Sequence, residues 1–344
     1  MKSMESLRVI AASCQPRTVS NPPVTGAHLM WRYLAIVMAL VSFNAPIGSA
    51  DTFLSDTTQS TGIIGRWNIN IETPERKLPS WLEIRPSGRA TLVGQFVGDV
   101  GSARPIARVD TSDGGIRFSI PPQWEQGEGD MAFEGRLQGD QLAGSMTYPD
   151  GKRFHWTAKR SPSLRRQTPP RWAEPLRLFS GTDLAGWRVL GANEWRVENG
   201  VLRNTKSGGN LVTDRTFSDF KLHIEFRYPK GGNSGVYLRG RHEVQIQDSL
   251  TTQPASDLLG GVYGFIAPSE IVARKPGEWQ SFDITLVGRM ITVTANGKTV
   301  IYNREIPGIT GGALDSDEGA PGPLMLQGDH GPVDFRNIRL TPAQ

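Results

Sequence analysis

Apolar and polar positions alternate with a period of two through most of the chain after residue 60, in short runs broken by turn signals. Successive side chains of an extended strand point to opposite faces, so such runs predict strands with one buried face. In the first half the runs fall at 65–71, 78–85, 90–97, 116–120, 131–137, 141–148 and 154–158. Pro86-Ser87-Gly88, Asp113-Gly114-Gly115, Gly139-Asp140 and Pro149-Asp150-Gly151 separate several of them. Asp-Gly between alternating runs is a hairpin signal. Successive hairpins over 61–160 predict a small antiparallel β-barrel domain. Gly65-Arg66-Trp67 with the late Arg160 is similar to a lipocalin-type pattern, in which such a Trp packs under a basic residue. A Gly-x-Trp triplet is common by chance, and Trp67 is read simply as core. Trp124, in SIPPQWE, reads as a barrel-end cap, with a sugar-facing platform as the alternative.

Residues 161–175, SPSLRRQTPPRWAEP, carry four prolines that exclude helix and central strand, and form a semi-rigid linker. From 176 to 344 alternation resumes, at 194–204, 210–213, 220–228, 233–239, 242–248, 278–287, 290–295, 298–303, 323–327 and 333–340. Asn199-Gly200 and Asn296-Gly297 mark tight hairpins. Many short strands without intervening helical periodicity predict an all-β, two-sheet sandwich.

The first fifty residues have a different pattern. Trp31–Ala50 offers Arg32, an apolar run from Tyr33 to Phe43, the Pro46 break, and small residues at 48–50. This is the pattern of a secretory signal peptide, with an apolar run too short for a membrane span. Cleavage after Ala50 leaves a polar, flexible lead-in at 51–60 and an exported product, periplasmic or extracellular, with no membrane span. Met30 is an alternative start. Loss of 1–50 takes away four basic residues and one acidic one, lowering the formal charge from +4 to +1. Nucleic-acid binding then loses its electrostatic support. Cys14, the single cysteine, leaves as well, so neither a disulfide nor a thiol nucleophile is expected.

The densest polar line lies in Gly231–Ser249, GGNSGVYLRGRHEVQIQDS. Val236, Leu238, Val244 and Ile246 alternate with Tyr237, Arg239, Glu243, Gln245 and Gln247. One face is aliphatic; the other is a row of long hydrogen-bonding groups, with Gly231, Gly232 and Gly235 leaving room beside them. Asp248 falls on the opposite parity and needs a bulge or strand end to rejoin Glu243. A solvated sheet face gives the same alternation. No G-x-S-x-G elbow, H-E-x-x-H, P-loop or dinucleotide fingerprint is present.

LFSGTDLAGW, GGNSGVYLR, EVQIQD, GVYGFIAP, GEWQSFDI, the Asn296-Gly297 turn and LMLQGDHGPVDFRNIRL follow one another in 176–342. In order and spacing they resemble the 3-keto-disaccharide hydrolase domain family, with Gln280 and Gly261 as small departures. The resemblance implies a concanavalin A-like jelly roll and cleavage of glycosides whose sugar is a ketone at C3, a 3-keto di- or oligosaccharide being the expected partner. A C3 ketone acidifies the C2 hydrogen. A base removes it, the C1 oxygen leaves, and water adds back. On this reading Glu243 and Asp248 are the acid/base carboxylates, Arg239 or His330 stabilises the enolate, and Tyr237, Gln245, Gln327 and Asn233 hold hydroxyls. Glu243-x-Gln245-x-x-Asp248 also resembles the strand motif of laminarinase-type glucanases, with an amide replacing the middle acid. No motif demands a cofactor; a divalent cation on His330 with Glu243, Asp248 or Asp329 is an option, and a structural Ca²⁺ at Asp315–Glu318 is set against a plain solvated loop. The alternative function is a non-catalytic, lectin-like glycan-binding module on the same fold.

Overall fold

The computed structural model describes residues 62–344 apart from 126, 251 and 252. The leader 1–50 and the lead-in 51–60 lie outside the described residues. The fold is all-β, and no helix among the described residues is long and apolar enough to cross a membrane.

Eight strands make the first sheet: β1 (Gly65–Glu72), β2 (Lys77–Ser87), β3 (Thr91–Val97), β4 (Arg104–Val109), β5 (Gly115–Ile120), β6 (Met131–Gln138), β7 (Gln141–Thr147) and β8 (Arg153–Arg160). They form one antiparallel meander in the order β4-β3-β2-β1-β8-β7-β6-β5. Its two ends meet where Asp110 and Arg117 exchange a pair of 2.8 Å backbone hydrogen bonds, nearly closing the barrel. Alternation alone does not reveal β4, where Arg104 is buried and Pro105 interrupts the ladder. A proline is tolerated there because β4 faces β5 only through that one bridge.

Trp67, Ile69, Leu82, Ile84, Phe96, Leu142 and Trp156 fill the barrel interior. Trp67 is core, as read, and something more. Its Nε1 donates to Ile63 O at 2.9 Å, and the Arg160 guanidinium stacks 3.8 Å above its ring. Arg160 also donates to the carbonyls of Ile64 and Gly62, pinning the barrel's entry strand. The lipocalin-like pairing is therefore present in full.

The second half comprises β9 (Leu176–Arg177), β10 (Trp187–Leu190), β11 (Trp195–Glu198), β12 (Val201–Asn204), β13 (Asn210–Phe217), β14 (Phe220–Arg227), β15 (Asn233–Leu238), β16 (His242–Gln247), β17 (Gln280–Val287), β18 (Met290–Ala295), β19 (Lys298–Glu305), β20 (Gly322–Leu326) and β21 (Val333–Pro342). A five-stranded sheet, β10-β13-β20-β15-β16, packs on a larger one, β11-β12-β21-β14-β17-β18-β19, with β9 beside β21. Asn199-Gly200 and Asn296-Gly297 turn with positive φ at both residues, as a tight hairpin requires. Leu211, Val236, Leu238, Val244, Ile246, Leu324 and Leu326 from the small sheet meet Phe226, Phe282, Ile284, Val293 and Phe335 from the large one. Trp187 and Trp195 belong to this core, their indole N–H groups donating to Leu178 O and Gly209 O at 2.7 Å.

Barrel and sandwich share a packed seam. Trp81 and Val97 project outward from the barrel and bury against Phe265, Ile309 and Ala313. Trp81 meets Phe265 edge-on, with centroids 5.3 Å apart. The 161–175 segment, expected as a spacer, instead runs along the sandwich: Pro162 O accepts two hydrogen bonds from Arg289, and Arg166 pairs with Asp219 at 2.9 Å.

The Asp315–Glu318 run is solvated only in part, Asp317 being exposed, and two of its three carboxylates are tied to arginines rather than free for Ca²⁺. Glu318 is fully buried and binds Arg289 through both oxygens, at 2.6 and 2.8 Å. Asp315 is held the same way by Arg241, at 2.6 and 3.1 Å. Fork-to-fork pairing of this kind occupies the oxygens that a cation would need.

Candidate functional site

The site lies on the outer face of the five-stranded sheet. In the β15–β16 ladder Tyr237 is directly opposite Glu243, Gly235 opposite Gln245, and Asn233 opposite Gln247. Tyr237, Glu243, Gln245 and Gln327 are each less than a tenth exposed, so this is not a solvated sheet face. Two segments cover it. Residues 258–263 run along the free edge of β16, with Gln245 N donating to Gly261 O and Tyr263 N to Glu243 O. Residues 308–314 lie across Tyr237, Val212 and Met325, and Thr310 Oγ1 accepts the Glu243 N–H at 3.0 Å.

Two glycines shape the centre. A Cβ on Gly235 would stand 2.0 Å from Glu243 Oε1, so the Glu243 carboxyl lies directly over that glycine. A Cβ on Gly312 would stand 2.4 Å from the Tyr237 hydroxyl, and Gly312 also holds φ +78°.

Tyr237 Oη is 2.8 Å from Glu243 Oε2 and 3.0 Å from Gly311 O. A phenol has one hydrogen, so these two contacts imply a proton relay. When Glu243 is ionised, Tyr237 donates to it. When Glu243 is protonated, its own O–H donates to the phenol oxygen, and Tyr237 donates to Gly311 O. Burial pushes the Glu243 carboxyl up to about 8; the Asp329 charge adds to this, and the Tyr237 hydrogen bond works against it. Burial and the neighbouring Glu243 charge raise the Tyr237 phenol well above its ordinary value.

Gln245 Nε2 donates to Asn233 Oδ1 at 3.0 Å, and Gln327 Nε2 reaches Tyr237 Oη at 3.5 Å. Gln245 Oε1 and Gln327 Oε1 are buried with no hydrogen-bond partner in the protein. Two such acceptors beside a buried carboxyl fit a ligand that brings hydroxyl donors.

Asp329 and His330 form the rim. The loop 328–331 is anchored by Asn204, whose Nδ2 donates to Gly328 O and Gly331 O at 2.7 and 2.9 Å. His330 Nδ1 lies 2.6 Å from Asp329 Oδ1, and that hydrogen bond raises the imidazole above its usual pKa. Both side chains are half-exposed. Asp329 lies near enough for its charge to add to the upward shifts of Glu243 and Tyr237.

Two expected residues go elsewhere. Asp248 does not return to Glu243: its Oδ2 accepts the Gly231 N–H at 2.8 Å and closes the β14–β15 turn. Arg239 has the right parity, but it and Gly240 sit in the left-handed region, at φ +54° and +66°. That turn sends the guanidinium into the end of the sandwich, where it donates to Gly288 O at 2.7 Å. Burial there lowers its pKa to about 10. Asp329, expected only as an optional cation ligand, and Tyr263, which no sequence motif singles out as a site residue, also lie close to Glu243. Tyr263 rides on the covering segment, and burial followed by the Glu243 charge raises its phenol. Among the described residues no three His, Cys, Asp or Glu side chains converge as metal ligands. The cation option loses Asp248 in any case, because that carboxylate is engaged at the turn.

Residues 174–341 match the family model described as the 3-keto-alpha-glucoside-1,2-lyase-like domain. A 101-residue stretch is 29% identical to a 3-keto-disaccharide hydrolase of Bacteroides thetaiotaomicron, covering 26% of this chain and 33% of that protein. The matched stretch thus spans about a third of that relative's length. Two solved structures from Parabacteroides distasonis, provisionally assigned as glycosyl hydrolases, are 30% and 25% identical. They cover 51% and 49% of this chain and 92% and 98% of their own, with TM-scores of 0.44 and 0.41. Through residues 174–341, the chain belongs to the 3-keto-alpha-glucoside-1,2-lyase-like domain family.

Proposed function

We propose that the protein is an exported enzyme that cleaves the glycosidic bond of 3-keto-glucosides by elimination followed by hydration. The observation that carries this is Glu243: a fully buried carboxyl on a phenol relay, next to two unpartnered amide oxygens. Ionised Glu243 takes the C2 proton of the substrate, whose C3 ketone accepts the electron pair as an enolate. The enolate collapses to a C1–C2 double bond as the C1–O bond breaks. The leaving oxygen takes its proton from the His330 imidazolium, which Asp329 holds in place. Water then adds at C1, its proton passing to the neutral His330 imidazole, and Glu243 returns the proton to C2, so both groups are restored and the sum is hydrolysis. Gln245, Gln327 and Asn233 hold the sugar hydroxyls. A family described as a 1,2-lyase and a relative described as a hydrolase correspond to the two halves of this sequence. Export rests on the pattern of 31–50.

Deuterium at C2 of an aryl 3-keto-glucoside is the direct test. The label should wash into solvent during turnover; full retention would sink the mechanism. Absence of release from both this compound and 3-keto-trehalose, with binding intact, would instead support a lectin-like module.

The acid assignment predicts a pH signature. With ionised Glu243 and protonated His330 both required, kcat/KM on a 3-keto-disaccharide is bell-shaped. In His330→Gln the alkaline decline should disappear, leaving a rate that rises to a plateau above about 8, the value set by Glu243. The loss should be about 10²-fold or more for a sugar leaving group and much smaller for a nitrophenolate, which departs without a proton. An unchanged bell in the variant would remove His330 from the mechanism.

A further inference from the structure

The barrel reaches into the rim of the site. Its β3–β4 loop, residues 98–103, is inserted between the two segments that cover Tyr237 and Glu243. Gly312 N donates to Asp99 O at 2.7 Å. A Cβ on Gly311 would stand 2.2 Å from Gly101 O, and one on Gly264 would stand 2.8 Å from Ala103 N. Gly311 is the residue whose carbonyl faces the Tyr237 hydroxyl, and Gly264 follows Tyr263.

On the outer side of the same loop sits Trp124. A Cβ on Gly101 would stand 3.1 Å from its Cδ1, yet the side chain is 71% exposed. That exposure is built rather than incidental. Glu125 is gripped through both oxygens at 3.0 Å by Arg104, a guanidinium only 2% exposed, which also donates to Pro121 O. Glu125 Oε2 accepts the N–H groups of Gln123 and Trp124 at 2.8 and 3.2 Å. Gln123 Oε1 accepts Ser102 N at 3.0 Å, and its Nε2 donates to Ser102 Oγ at 2.9 Å. A network with a buried arginine at its base thus holds an indole open to solvent, two glycine backbones away from the Tyr237–Glu243 pair.

An exposed, pre-positioned aromatic suits the C–H face of a sugar ring, and this one stands near the buried polar groups of the site. We propose that Trp124 is a platform for the leaving sugar of a 3-keto-disaccharide, so that the barrel sets preference for a glycosyl over a small leaving group. This deepens the proposed function and rests on it. The oxidised ring sits at Glu243, and the second ring extends over the β3–β4 loop onto the indole.

The test compares 3-keto-trehalose with methyl 3-keto-glucoside, in the wild type and in Trp124→Ala and Trp124→Phe. The ratio of kcat/KM for the disaccharide to that for the methyl glycoside should fall about five- to tenfold in Trp124→Ala, chiefly through KM, and recover in part in Trp124→Phe. Turnover of both compounds with an unchanged ratio would overturn this inference and leave the proposed function standing. Binding is read separately by intrinsic tryptophan fluorescence during titration with the disaccharide. Weaker binding by Trp124→Ala supports the platform even if neither compound is turned over, an outcome that would reject the proposed function alone. Equal affinity of wild type and variant rejects the platform.

Discussion

Glu243→Gln is expected to lower kcat/KM on a 3-keto-glucoside by about a hundred- to ten-thousandfold, the range that a positioned acid/base group contributes. The amide is isosteric, still lies over Gly235, and still accepts from the Tyr237 hydroxyl. It cannot take a proton from C2. Ligand affinity should therefore change little while turnover collapses, which steady-state kinetics and a binding titration read separately. Undiminished turnover would remove Glu243 as the base. The same substitution has a consequence for stability. Glu243 titrates near 8 in the folded protein, against 4.5 when unperturbed, so the folded state favours its protonated form. That contribution is complete below about 4.5 and is lost as pH rises through about 8. The variant carries no such ionisation. Its melting temperature relative to wild type should climb between these limits and level off beyond them. A difference independent of pH would mean that the carboxyl is not held in this protonation state.

Glu318→Ala should cost roughly 3–5 kcal/mol of stability, read by denaturant titration, because it strands the Arg289 guanidinium in the interior. Both partners are almost completely buried, and Arg289 Nη1 and Nη2 each meet one carboxylate oxygen. The same guanidinium donates to Pro307 O and twice to Pro162 O. Loss of Glu318 therefore loosens the 161–175 segment and the turn before residue 308 together. Glu318→Gln, which keeps one acceptor, should lose less. A loss under about 1 kcal/mol for the alanine variant would put this pair in the class of surface ion pairs.

The period-two pattern was enough to place Tyr237, Glu243 and Gln245 on one face, because β15 and β16 are extended over those residues. It failed at Arg239, where a left-handed turn breaks the parity on which the argument depends. Asp248 keeps the parity that alternation gives it, and its carboxylate closes the β14–β15 turn instead of returning to Glu243. β4 escaped notice because a strand at an open seam can carry Pro105 and a buried arginine. Carboxylates in the Asp315–Glu318 run look solvent-facing in sequence, since their arginine partners are remote. The relation of Trp124 to the site was illegible for the same reason: it depends on residues 98–103 meeting 310–313, a contact that no local pattern encodes.

The seam at Trp81 bears on the ancestry of the two-part architecture. A Cβ on Gly308 would stand 2.2 Å from the Trp81 indole nitrogen, so the barrel docks only onto a sandwich that is bare at that point. A sandwich without a barrel has no such reason to keep the position empty. Gly308 is thus a one-letter record of partnership: any side chain at this place would have to displace the Trp81 indole before a barrel could dock in this orientation.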